Sequence, residues 1–168
     1  MASRSLLAHV IERLAPQATP LAINANGDPS RFADLALPVL PDPVAGHPGP
    51  LAGVLAGLDW AAAIEVETIV TAPADSPFLP RDLVQRLQRA AVGGLAIARD
   101  AEGRDHPVFG LWPVALRADL RAAIEGGVRK IVAWTETHGA GTAVFEDPRA
   151  FFNVNTAEDL AAARAMAE

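Results

Sequence analysis

The sequence predicts an α/β domain in which helices pack on a mixed, mostly parallel sheet. Three observations point there. Thr68-Ile69-Val70-Thr71-Ala72 is a short apolar, β-branched run of the kind found in strands buried on both faces. It passes directly into Pro73-Ala74-Asp75-Ser76-Pro77-Phe78-Leu79-Pro80, whose last proline opens a helical pattern. Short strand candidates alternate with helical periodicities through the rest of the chain, of which 51% is apolar and much is alanine.

The first helix is read from Leu6, Leu7, Val10, Ile11 and Leu14, stopped by Pro16. Leu21-Ala22-Ile23 is a short strand running into the turn formers Asn24-Ala25-Asn26-Gly27-Asp28-Pro29. A brief helix through Phe32 and Leu35 precedes a second strand, Leu37 to Leu40, which ends at Pro41-Asp42-Pro43. Pro50 then starts a helix with Leu51, Val54, Leu55 and Leu58 inward. Beyond the Thr68–Ala72 strand, Asp82 to Ala91 reads as a helix closed by Gly93-Gly94, and Leu95 to Ala98 as a strand. The charged turn Asp100–Asp105 is too short for a crossover helix. Its two flanking strands, the second at Val108–Trp112, are therefore expected to pair antiparallel. A helix is expected from Pro113 through Ile124, a shorter one from Val128 to Thr137, and a last strand from Thr142 to Glu146. Thr156 and Asp159 have the spacing of a capping box in front of an alanine-rich helix reaching Met166.

The chain has 168 residues, the size of a single domain with a substantial core. It has no cysteine, which excludes disulfides and thiolate metal sites and fits a reducing, cytoplasmic setting. A net charge of −6 argues against a nucleic-acid partner. No apolar run is long enough to span a bilayer and no signal-peptide pattern opens the chain, so no membrane role is expected.

Asp75 is the leading functional candidate. A carboxylate in a stiff loop past the carboxyl end of an interior strand sits where open α/β sheets bind ligands. One such carboxylate suits magnesium shared with phosphates, since that ion keeps most of its waters; the alternative is a turn cap. Asp42, also between prolines past a strand, reads first as a turn residue. Gly49, Gly53 and Gly57 allow close backbone approach to a ligand or a neighbouring element. His47 lacks a partner at metal-ligand spacing and reads as a loop residue. Arg129 and Lys130 stand at the start of a helix, where cations are unfavourable, so either a bound anion or solvent offsets them. Asn155 and Thr156 are explained as caps, whereas Asn153, between large apolar groups, needs partners of its own.

Taken together, Ile23-Asn24, Pro41-Asp42-Pro43, Gly49-Pro50-Leu51-Ala52-Gly53, Asp75-Ser76-Pro77-Phe78-Leu79-Pro80, His106-Pro107 and Phe152-Asn153-Val154-Asn155-Thr156 resemble the molybdenum cofactor guanylyltransferases, the MobA family, in family order. The resemblance covers about residues 5 to 165. It implies a Rossmann-like three-layer α/β/α nucleotidyltransferase fold across a single domain, 1–168. It also implies transfer of GMP from GTP to the terminal phosphate of molybdopterin, with release of pyrophosphate. On that resemblance Asn24, Asp42 and Gly49 are nucleotide contacts, and Asp75 is the catalytic magnesium ligand facing the phosphates. Asn153 and Asn155 belong to the pterin side, with Arg129 and Lys130 as candidates to hold that anionic cofactor. Implied further partners are a GTP-binding accessory protein and molybdoenzyme chaperones.

One departure stands out. The family opens with a buried strand and a loop of the form Leu-x-Gly-Gly-x-Ser-x-Arg-Met-Gly-x-Asp-Lys that wraps the nucleotide, and nothing like it occurs in this sequence. That strand is interior, so Leu21–Ile23 and Thr68–Ala72 are expected to close on each other, to leave a gap, or to pair with another chain. Three readings follow: a guanylyltransferase chain without its leading segment, a non-catalytic nucleotide- or pterin-binding relative, or a cytidylyl- or sugar-phosphate nucleotidyltransferase. Weak nucleotide binding and little turnover are the expectation for the polypeptide as given.

Overall fold

In the computed structural model, residues 5–46 and 49–166 are described, and the predicted alternation resolves into six strands and six α-helices. Helix α1 (Leu6–Leu14) is capped by Ser5, whose Oγ accepts the Ala8 N–H at 3.2 Å. Strand β1 (Ile23–Asn24) leads through a 3-10 segment, Pro29–Leu35, to β2 (Val39–Leu40). Then come α2 (Pro50–Ala63), β3 (Thr68–Thr71), α3 (Leu83–Ala90), β4 (Ala96–Asp100) and β5 (Asp105–Pro113). A 3-10 turn at Val114–Leu116 enters α4 (Arg117–Glu125), followed by α5 (Ile131–Thr137), β6 (Gly141–Phe145) and α6 (Ala157–Met166).

The strands form two groups. β1 and β2 pair parallel, and a four-stranded sheet has the order β3-β5-β4-β6. Within it β5 runs antiparallel to both neighbours while β4 and β6 are parallel, so the sheet is mixed and β4–β5 is the expected hairpin. Alternation along β5 sends Leu111 to one face and Trp112 to the other. On the first face Val10 of α1 and Leu83 and Leu87 of α3 pack with Phe109 and Phe145. On the second, Leu55 and Leu58 of α2 pack with Leu120 and Ile124 of α4 and Trp134 of α5. The result is the three-layer α/β/α arrangement.

Three expectations change. β3 is an edge strand of the four-stranded sheet rather than an interior one, with Thr68 exposed and Ile69–Thr71 half-buried. Its outer edge and that of β1 do not pair with each other, and a cavity lies between them. Second, Pro113 ends β5 instead of starting a helix, because it is paired opposite Thr68. Third, α5 begins at Ile131, not Val128, so Arg129 lies ahead of the helix. Its guanidinium reaches back to the carbonyls of Ile124 (3.0 Å) and Val128 (3.1 Å). A cation at the C-terminal carbonyls of α4 is favourably placed, so no bound anion is needed to explain it.

Candidate functional site

β3, β4 and β6 share one direction, since β3 and β4 both oppose β5 and β6 parallels β4. The segments that follow them therefore collect at a single end of the sheet, the ligand-binding end of open α/β folds. Thr71 marks the end of β3: its Oγ1 donates to the Val108 carbonyl (2.6 Å) and accepts from Trp112 Nε1 (2.8 Å). The chain then turns through Pro73 into Asp75.

Two distant stretches meet at Asp75. The Val154 N–H donates to the Asp75 carbonyl at 2.9 Å. Ser76, fully buried, donates its single hydroxyl proton to Asn153 Oδ1 at 2.6 Å, and the same oxygen lies 3.3 Å from Asp75 Oδ1. Leu79, also fully buried, anchors the far side of the loop. Behind Asn153, Phe151 stacks on His106 with centroids 4.1 Å apart and meets Phe109 and Phe145 edge-on. Ser76→Ala is expected to lower turnover roughly tenfold, the value of one hydrogen bond of about 1.4 kcal/mol that aligns two halves of a site. Steady-state kinetics with a circular-dichroism check of folding would measure it.

His106 is held in turn by Asp100, whose carboxylate lies 3.0 Å from His106 Nε2. Asp100 also accepts the Arg104 N–H (2.9 Å) and Arg104 Nε (2.7 Å). Burial raises the Asp100 pKa, but the bonds from His106 and Arg104 outweigh it and hold the carboxyl well below its ordinary range. A carboxyl lowered in the folded state contributes stability above its unfolded pKa, about 4, and loses it as pH falls from there. Melting curves between neutral and acidic pH are expected to fall more steeply below about pH 4 for the native chain than for Asp100→Asn.

The second group lies past β1 and β2. Asn24 Nδ2 donates to Asp42 Oδ1 (2.9 Å) and to the Leu40 carbonyl (3.0 Å). Asn26 Nδ2 donates to Asp42 Oδ2 (2.8 Å), and its Oδ1 accepts the Asp42 N–H (2.9 Å). Asp42 is thus clamped by two amides, and Asn26 joins the pair that the sequence singled out. Gly53 of α2 is needed beside it: a Cβ there would collide with Asn24 Oδ1. Gly49 caps α2 with φ +144, a conformation that favours glycine. His47 lies outside the described residues.

The remaining candidates are less clustered. Asn155 gives its N–H to Asp159 Oδ2 (3.0 Å), which also takes the Thr156 N–H, while Thr156 Oγ1 accepts the Asp159 N–H. The capping box is as expected. Arg129 and Lys130 flank a core cluster on the face opposite the one that holds Phe151. No contact brings them to Asn153 among the described residues. Instead Arg13 of α1 donates to the Leu79 carbonyl (3.2 Å) and lies over Phe78, 5.9 Å from the ring centre. Its pKa is lowered by partial burial and by repulsion from Arg81 and Arg149, partly offset by Asp147, which pairs with Arg149 at 3.1 Å. Gln17 ties α1 to the same loop, donating to the Arg13 and Pro80 carbonyls and accepting the Val84 N–H.

Residues 1–140 match the MobA-like NTP transferase domain family. A molybdenum cofactor guanylyltransferase of Cereibacter sphaeroides is 52% identical over 167 residues, covering 99% of this chain and 84% of that protein. The chain belongs to the MobA-like NTP transferase family. A second member, the molybdenum cofactor guanylyltransferase of Bradyrhizobium sp. (strain ORS 278), is 51% identical over 177 residues, 99% of this chain and 82% of its own. Among solved structures, molybdopterin-guanine dinucleotide biosynthesis protein A of Archaeoglobus fulgidus superposes with a TM-score of 0.71 at 19% identity. That match covers 99% of this chain and 87% of the other. The 2-C-methyl-D-erythritol 4-phosphate cytidylyltransferase of Thermus thermophilus gives 0.63 at 20% identity, over 98% and 90%. These likenesses establish the nucleotidyltransferase fold.

No group of three or more His, Asp or Glu able to hold an ion occurs among the described residues. Asp75 offers one carboxylate whose neighbouring hydroxyl proton is directed to Asn153, which leaves its oxygens available as acceptors. No helix among the described residues is long and apolar enough to cross a membrane.

Proposed function

We propose that this chain transfers a GMP unit from GTP to the terminal phosphate of Mo-molybdopterin in the cytoplasm, releasing pyrophosphate. The observation that carries the reading is the junction of Asp75, Ser76 and Asn153 at the carboxyl end of β3, in a chain 52% identical to a molybdenum cofactor guanylyltransferase. A phosphate oxygen of the acceptor attacks the α-phosphorus, the bond from that phosphorus to the bridging oxygen breaks, and pyrophosphate leaves with the electron pair. The protein contributes alignment and charge rather than a covalent intermediate.

In this reading the Asn24–Asp42 clamp and the Gly49 entry to α2 meet the nucleoside, and Asp75 would hold a magnesium ion that arrives with the nucleotide. That ion would neutralise charge on the phosphates. Asn153 and Asn155 face the pterin. Arg13 supplies positive charge on that side, beside Arg149 in its ion pair with Asp147, whereas Lys130 lies on the opposite face and Arg129 is engaged by the carbonyls of α4. A GTP-binding accessory protein and molybdoenzyme chaperones would deliver substrate and receive product.

The test is pyrophosphate release and product mass with Mo-molybdopterin, magnesium and either GTP or CTP. The guanine dinucleotide product, formed slowly but with GTP preferred, is expected. A preference for CTP, or GTP binding without any transfer, would overturn the assignment.

A further inference from the structure

We infer that His106 is a positioning residue for the acceptor side: its ring, oriented by Asp100 and stacked on Phe151, holds the arm that carries Asn153 in its substrate-binding pose. The naming of that side rests on the functional reading above; the placement of the arm does not.

The first support is a break in the pairing of β4 with β5. Ala96 stands opposite Leu111 and Ile97 opposite Gly110, but Ala98 stands opposite His106. Pro107, Val108 and Phe109 are thereby left without ladder partners on β4. Proline has no N–H to lose, so it is at home in such a bulge. Strict alternation from Leu111 would put position 106 on the other face of the sheet, with Gly110 and Trp112. The odd number of extra residues reverses this. His106 comes to the face of Ala98, Phe109 and Leu111, where Phe151 packs. Bulges re-aim side chains in this way beside functional sites. β5 also starts where β4 finishes, which is the Asp75 end of the sheet.

The second support is what the ring touches. A carboxylate only accepts, so Nε2, 3.0 Å from Asp100 Oδ2, carries the proton, and this bond orients the ring. The ring lies nearly parallel to Phe151, with centroids 4.1 Å apart and planes at 17°. Phe109 and Phe145 meet Phe151 edge-on, so His106 is the ring that covers its flat side.

The third support is what Phe151 carries. Between β6, ending at Phe145, and α6, starting at Ala157, the chain forms neither helix nor strand. The Val154 N–H on the Asp75 carbonyl and Asn153 Oδ1 on the Ser76 hydroxyl tie down the far part of this arm. The stack on His106 ties down the near part. An arm ordered before substrate arrives spares that cost on binding. Losing the stack frees Asn153 and leaves the Asn24–Asp42 clamp, beyond β1 and β2, as it was.

The experiment compares His106→Ala and His106→Phe in the full chain. Alanine removes the ring; phenylalanine keeps a flat ring without Nε2. In amide exchange without substrates, the Val154 N–H should exchange at least about tenfold faster in His106→Ala, with the Gly141 N–H unchanged. The KM for Mo-molybdopterin should rise about tenfold, the upper worth of one aromatic stack, while kcat and the KM for GTP stay within about twofold. His106→Phe should return both readouts to within about threefold of the native chain. A packing role alone would lower Tm and raise both KM values together. Unchanged exchange at Val154, a parallel rise in both KM values, or no rescue by phenylalanine would overturn the inference. If no guanylyl product forms, the functional reading falls, and exchange at Val154 still decides this one.

Discussion

Asp75→Asn is expected to cut GMP transfer by about 10²–10³-fold, or roughly 3–4 kcal/mol of transition-state stabilisation, and to abolish the magnesium-dependent share of GTP affinity. Asparagine has the shape of aspartate, and the loop is fixed by groups the substitution leaves alone. The Asp75 carbonyl still accepts from Val154, Ser76 still donates to Asn153, and Leu79 stays buried. What changes is one negative charge, half-buried at the end of β3. A neutral amide is a poor magnesium ligand, so on the proposed reading an ion arriving with the nucleotide would lose its protein anchor. Calorimetric titration of GTP with and without magnesium, beside pyrophosphate release and a melting curve, separates the possibilities. Undiminished metal-dependent transfer in a folded variant would remove Asp75 from the mechanism.

How much of this was legible in the sequence depends on the range of the interaction. The capping box of Thr156 and Asp159 and the Asp100–Asp105 hairpin are local, so spacing alone revealed them. The position of β3 was not legible. An apolar run says that a strand is covered, not by what; here α2, β5 and the lining of the cavity cover it, and among the described residues no strand lies on its outer side. Arg129 was misread for a related reason. Its proximity to α5 was plain, but the turn after Gly126 and Gly127 sends it back to α4. A cation within one turn of a helix end is the signal that could have found it. Ser76, Asn26 and Gln17 were missed as bridging residues because their partners lie 77, 16 and 63 residues away. Their types were readable, while their contacts exist only after folding.

Gly141→Ala is expected to lower stability by about 3 kcal/mol or more, a fall in Tm of roughly 6–12 °C. Gly141 begins β6, opposite Ala96 of β4, and its N–H donates to the Leu95 carbonyl at 3.0 Å. A Cβ at this position would overlap the Ala90 carbonyl oxygen, stand 2.7 Å from its carbon and 3.2 Å from the Val92 nitrogen. All three atoms are backbone, at the end of α3, so no side chain can swing aside. Either β6 gives up its register or α3 lifts from the sheet, and Leu83 and Leu87 leave their packing with it. Because Gln17 ties α1 and Pro80 to the start of α3, the second outcome also disturbs the Asp75 loop. Weaker GTP binding should then accompany the lost stability. Gly139→Ala supplies the comparison. Its φ of +62 strains an alanine, but the added Cβ meets nothing, so the cost should stay near 1–2 kcal/mol. If thermal unfolding ranks the two variants equal or in reverse order, backbone crowding at Gly141 is not what sets the approach of α3 to β6.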